Sequence, residues 1–209
     1  DMRKFSHAFI VAALLLSTSA YAQEITPVAA SAATPIKQPW LYEGSDVPVD
    51  TTWTFASLPN GLRYAVKKND VPAGQVSIRV RIDAGALHEN DDEQGFAHLI
   101  EHLSFRGSTF VPDGEAKRIW QRFGVTFGSD SNAQTTPTQT VYKLDLPNVT
   151  PEKLDESIKI ISGMIRNPRI SDVALNAERA IVLAERRENS GAQMVYSDAL
   201  RQHAFQGQR

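Results

Sequence analysis

His98 and His102 stand four residues apart, with Glu101 between them, in the order H-x-x-E-H. The flanking residues (GFAHLIEHLSF) carry an apolar helical pattern. On a helix, side chains at i and i+4 point the same way about one turn apart, so both imidazoles can reach one ion. With zinc this makes a two-ligand chelate. Glu101, three residues after His98 and on nearly the same face, sets a carboxylate where it could take a proton from water on that ion.

The elements that must position this turn can be read from the flanking pattern. Thr52 to Ser57 and Leu62 to Lys68 flank Pro59-Asn60-Gly61, and Asn-Gly between two strand-like runs signals a hairpin. Gln75 to Ala84 alternates, with Val76, Ile78, Val80 and Ile82 on one side and Ser77, Arg79 and Arg81 on the other. Gly95 to Phe105 is the helix carrying the pentad. Asp113 to Phe123 is a second helix, capped by Asp113 and stopped at Gly124. Strands are expected over Val125 to Gln134 and Thr138 to Leu146. Thr150 and Pro151 open a helix with Leu154, Ile158, Ile161, Met164 and Ile165 as its apolar stripe, ending before Asn167-Pro168. Ser171 and Asp172 cap the next helix, Gly191 ends it, and an amphipathic stretch reaches Phe205. There is no internal repeat. Strands followed by helices predict an α+β fold: a mixed, largely antiparallel sheet with helices packed mainly on one face.

The 209 residues, 42% hydrophobic and 22% charged, leave room for one domain and its flanking segments. A formal net charge of -2 gives no footing for nucleic acid or an anionic membrane as partner. With no cysteine, any metal must be held by histidine and carboxylate. Arg3 and Lys4, an apolar run from Ala8 to Leu16 and Ala20-Tyr21-Ala22 before Gln23 have the three-part layout of a secretory signal. The run falls short of the roughly 20 residues that span a bilayer, so no stable membrane anchor is expected. Residues 1–22 are accordingly assigned to a signal peptide and 23–50, rich in Ala, Pro, Ser and Thr, to a flexible linker. Trp40, Leu41 and Tyr42 interrupt that linker, either docked or loose. The domain proper is expected over 51–209.

A catalytic zinc takes three protein ligands and leaves a position for water. The pentad supplies two. Of the other histidines, His7 lies in the signal, His203 near the end of the chain and His88 in a loop after a strand. A better pool is the helix ending at Glu188, with Glu178, Glu185 and Glu188 among apolar residues. Glu178 and Glu185 share a face but lie about 10 Å apart along the axis, so only one can touch the ion. On the helix alone, any one of them is better read as a solvated carboxylate paired with Arg179, Arg186 or Arg187, and the residues leave open which one meets the ion.

Four segments in order, PNGLRYAV, GFAHLIEHLSFRGST, FGSDSNAQTTPTQTVY and ERAIVLAERRE, resemble the pitrilysin and insulin-degrading-enzyme family of zinc metallopeptidases, whose pentad has this inverted order. The resemblance covers about Trp53 to Glu188 and is closest to the bacterial periplasmic members. It implies that His98 and His102 bind zinc, one ion per domain, and that Glu101 is the general base. The usual spacing to the distal glutamate suits Glu178. The E-R-x-x-x-x-x-E pattern instead implies Glu185 as third ligand, with Glu178 serving catalysis by orienting a ligand or water. Asn132 and Ala133 fall in the family's substrate-binding edge strand, which would pair with an extended peptide through its main chain.

The expected activity is that of an exported, periplasmic zinc endopeptidase acting on peptides or unfolded proteins. Two other readings stand beside it: a non-catalytic peptide-binding or assembly subunit, and a structural zinc site. Family members pair the zinc-bearing half with a homologous second half that adds an Arg-Tyr pair. The chain stops at Arg209 within the first half, so a truncated domain and a partner half are expected.

Overall fold

The computed structural model describes residues 39–188 and 190–206, so the expected signal and most of the expected linker lie outside the described residues. Two compact units divide between Lys67 and Lys68. In the first, β1 (Trp53–Ser57) and β2 (Arg63–Lys67) pair antiparallel with Trp53 opposite Lys67. Gly61 closes the turn at φ 87, and Asn60 Oδ1 accepts from the Leu62 N–H at 3.1 Å, as the Asn-Gly signal predicts. Trp40 and Tyr42 are docked on this hairpin, with ring centroids 5.0 and 5.1 Å from Phe55, while Leu41 is exposed.

The second unit is built on a three-stranded antiparallel sheet in the order β3 (Val76–Ile82), β5 (Thr140–Leu146), β4 (Ser131–Thr135). In register, Val76, Ile78 and Val80 face Leu146, Leu144 and Tyr142 across the ladder, and Ser131 and Ala133 face Leu144 and Tyr142. Alternation puts all of these on one face. Onto it pack Ala116, Ile119 and Trp120 of α2 (Glu115–Arg122) and Ile160, Ile161 and Met164 of α3 (Pro151–Arg166). The fold is α+β, as expected, with every described strand pair antiparallel.

Three details depart from the pattern. Asp113 does not cap α2; the cap position is Gly114, in the left-handed conformation at φ 78. Residues 125–130 do not extend β4, because Asp130 folds them into a turn. Its carboxylate accepts from the Thr126 N–H at 2.8 Å and its own N–H reaches the Thr126 carbonyl at 2.9 Å. Along α3 the buried stripe is Ser157, Ile160, Ile161 and Met164, and Ile158 is exposed. Ser157 is inside because its hydroxyl accepts from Trp120 Nε1 at 3.2 Å. Thr150 caps α3, accepting from the Lys153 N–H.

On the polar face, Arg79 Nη1 and Lys143 Nζ meet the Asp145 carboxylate at 2.8 and 3.1 Å. Burial pushes this carboxyl up, but donors from Arg79, Ser77 and Lys143 outweigh it and hold it below its ordinary value. A lowered folded pKa contributes stability that is complete above the unfolded value of about 3.9 and is lost as pH falls through the folded one. Asp145→Asn is therefore expected to lower the urea midpoint at pH 6, with variant and parent converging below about pH 4. A constant gap across that range would show that the ion pairs contribute nothing.

The remaining helices are α1 (Phe96–Ser104), α4 (Asp172–Glu188) and α5 (Ala192–Ala204). Helix α1 packs against both β4 and α4. Ser171 Oγ accepts from the Ala174 N–H at 3.2 Å at the start of α4. Among the described residues, no helix is long and apolar enough to cross a membrane.

Candidate metal and active site

Helix α1 starts at Gly95, whose φ of 101 turns the chain sharply into the first turn. Gly95 has no side chain to cap with, and Glu89 does so from six residues upstream. Its two carboxylate oxygens accept from the Gly95 N–H at 2.8 Å and the Ala97 N–H at 2.7 Å. The next turn carries His98, Glu101 and His102. At the other end Ser104 Oγ donates to the Ile100 carbonyl at 2.8 Å and meets the Tyr142 hydroxyl at 3.0 Å, tying α1 to the sheet.

His98 Nε2 and His102 Nε2 lie 3.2 Å apart, and Glu185 Oε2 lies 3.5 Å from the first and 3.6 Å from the second. Among the described residues, this is the group of three that could hold a metal ion. Donors at zinc distances of about 2.0–2.1 Å in a tetrahedron are separated by about 3.3 Å. The three atoms thus form one triangular face of that size, and the residues fit the ion.

Glu178, counted with the catalytic groups on sequence, sits behind this face. Its Oε2 is 2.9 Å from His102 Nδ1, and its Oε1 accepts from Arg106 Nε at 2.5 Å. A carboxylate only accepts, so it calls for the proton on Nδ1 and leaves the Nε2 lone pair directed at the group of three. The Glu178 carboxylate thus bridges the His102 ring and the Arg106 guanidinium, with its nearest contact to the group of three made on the nitrogen that points away from it. Glu101 is buried, with Oε2 accepting from the Thr135 hydroxyl at 2.5 Å. Thr135 stands near Thr140, whose hydroxyl donates to the Ala84 carbonyl at 3.0 Å.

His98, Glu101, His102, Glu178 and Glu185 line a cleft of about 570 Å³ with Phe105, Phe127 and Lys117 on its wall and Ser131, Asn132 and Ala133 along one side. Strand β4 is an edge of its sheet. Ser131 donates its N–H to the Thr126 carbonyl and accepts at its own carbonyl from the Gly128 N–H. Its main chain thus faces away from β5, and Ala133, two residues on, faces the same open edge. There the Ala133 N–H donates to Asn132 Oδ1 at 2.9 Å. His88 is placed elsewhere, its Nδ1 accepting from the Gly85 N–H.

Glu89, Arg106 and Thr135 were not singled out on sequence. Each acts through a tertiary partner, and only Thr135 left a trace, in falling on the same alternating face as Ala133.

The sheet order, the helix-borne pentad and the distal carboxylates identify the class: the chain belongs to the insulinase family, peptidase family M16, whose model matches residues 64–209. Among its relatives, the probable zinc protease PqqL of Haemophilus influenzae is 35% identical over 147 residues, which are 70% of this chain and 16% of that protein. The probable zinc protease PqqL of Escherichia coli is 32% identical over 155 residues, 74% of this chain and 17% of that protein. The crystal structure of the periplasmic protease PqqL from Escherichia coli matches with a TM-score of 0.73 at 30% identity, over 78% of this chain and 18% of that one. The chain thus spans less than a fifth of the length of these relatives.

Proposed function

We propose that this chain is the zinc-bearing part of an exported, periplasmic endopeptidase that cleaves peptides or unfolded proteins. The observation that carries the reading is the triangle of His98, His102 and Glu185 donors at 3.2, 3.5 and 3.6 Å, with Glu101 on the same helical turn. When bound, zinc supplies a Lewis acid that polarises the scissile carbonyl and acidifies water. Glu101 takes a proton from the attacking water and delivers it to the departing nitrogen, its carboxylate aimed by Thr135. Glu178 holds the His102 ring in orientation.

Substrate pairs as an extended strand along β4. The peptide displaces Asn132 Oδ1 from the Ala133 N–H, and the scissile amide comes to rest beside Glu101. A homologous second half, in the same or another chain, completes the chamber. Export is supported by the layout of residues 1–22 and by the periplasmic relative. A purely structural zinc site is disfavoured because the side chains of His98 and Glu185 are 39% and 41% exposed on a cleft wall, within reach of solvent and substrate.

One equivalent of zinc is expected to remain bound through gel filtration, and, with the second half supplied, cleavage of a fluorogenic peptide to stop on chelation and return on zinc addition. A chain that retains no zinc overturns the reading. Global unfolding on chelation would make the site structural.

A further inference from the structure

We propose that Arg106 is a positioning residue for the metal site, acting through Glu178 on His102 and holding α4 in the place from which Glu185 reaches the histidines. The inference rests on the zinc reading above. Arg106 lies two residues beyond the end of α1, and its Nε donates to Glu178 Oε1 at 2.5 Å while Nη1 lies 3.6 Å from Asp113 Oδ2. Glu178 is buried, its side chain 9% exposed. A buried carboxylate is tolerated when its charge is paired and its lone pairs are filled.

Here the two oxygens are divided. Oε1 is taken by Arg106, which leaves Oε2 aimed at His102 Nδ1. Without Arg106 the carboxylate would be free to rotate toward solvent, and the imidazole would lose the acceptor that fixes its plane and tautomer. The same contact is a clamp between elements, because Arg106 follows α1 and Glu178 belongs to α4, the helix that also carries Glu185. One guanidinium therefore governs two of the three donors: the His102 ring through a hydrogen bond, and Glu185 through helix placement. The planar guanidinium fixes the direction of its N–H donors, which a lysine ammonium does not.

The test is the zinc dissociation constant of the full chain, read by competition with a chromophoric chelator. Arg106→Met is expected to weaken zinc about 10-fold, and Arg106→Lys by less. In a Glu178→Ala background, Arg106→Met is expected to add less than about twofold, since the partner it acts through is gone. A merely structural role would persist undiminished in that background. Either that pattern, or an Arg106→Met affinity within twofold of the parent, overturns the inference. Should the Met variant not fold, the Lys variant in the same cycle decides, coupling to Glu178 supporting and additivity overturning it. A parent that binds no zinc removes the functional reading and this inference together, whereas a parent that binds zinc with no coupling removes only the inference.

Discussion

Glu101→Gln is expected to lower peptide hydrolysis by about 10²–10⁴-fold while zinc affinity stays within about twofold of the parent. The substitution keeps the shape of a buried side chain and removes its capacity to take a proton. Glutamine retains a carbonyl oxygen that can accept from the Thr135 hydroxyl, so the side chain keeps its anchor on β4. Glu101 contributes no atom to the triangle formed by His98, His102 and Glu185, and metal retention is the natural consequence. Steady-state turnover of a fluorogenic peptide, with zinc content measured on the same sample, separates the two effects. Undiminished turnover would move the base elsewhere, and loss of zinc would put Glu101 among the ligands.

Local signals were legible where a residue's partner is close in sequence. The Asn60-Gly61 turn, the alternation of Val76 to Ile82, the Thr150 cap and the helix that presents His98 and His102 on one side all depend on contacts within a few residues. The same strength misled at Asp113. It has the chemistry of a helix cap, but it lies against Arg106 instead, and the turn is made by Gly114. Residues 125–130 have strand-like composition, yet Asp130 offers the backbone a competing acceptor and closes a turn. Ile158 matched the helical period, while a serine took the buried position because Trp120 needed an acceptor.

The site divides along the same line. His98, Glu101 and His102 are neighbours on one turn and could be read from spacing alone. The carboxylates of α4 could not, because spacing and periodicity place Glu178 and Glu185 on one face without saying what that face meets. Helical geometry leaves that choice open, and the family pattern favours Glu185. Glu89, Arg106 and Thr135 have side chains of ordinary surface type, and their effect comes from where the fold delivers them: a helix start, the buried Glu178 carboxylate and the buried Glu101 carboxylate.

That division gives the sharpest test of the two glutamates. Glu185→Ala is expected to weaken zinc by about 10²–10³-fold, on the scale of one ligand's share of an apparent binding free energy of about 10–16 kcal/mol. Glu178→Ala is expected to cost about 10–100-fold, the usual effect of losing a carboxylate that orients a ligating histidine. The ordering follows from geometry. Glu185 Oε2 is 3.5 and 3.6 Å from the two Nε2 atoms, whereas Glu178 Oε2 meets His102 on the far nitrogen, Nδ1. The two losses also differ in kind, since removing Glu185 takes away a donor while removing Glu178 leaves three donors and an Arg106 whose remaining carboxylate neighbour is Asp113. Cobalt substitution reads this directly: the visible spectrum of the Glu178→Ala protein is expected to keep the parent's coordination signature at higher cobalt, and that of Glu185→Ala to change it. If the ordering is reversed, with Glu178→Ala the more damaging and the one that alters the spectrum, the spacing argument prevails and the two glutamates exchange roles.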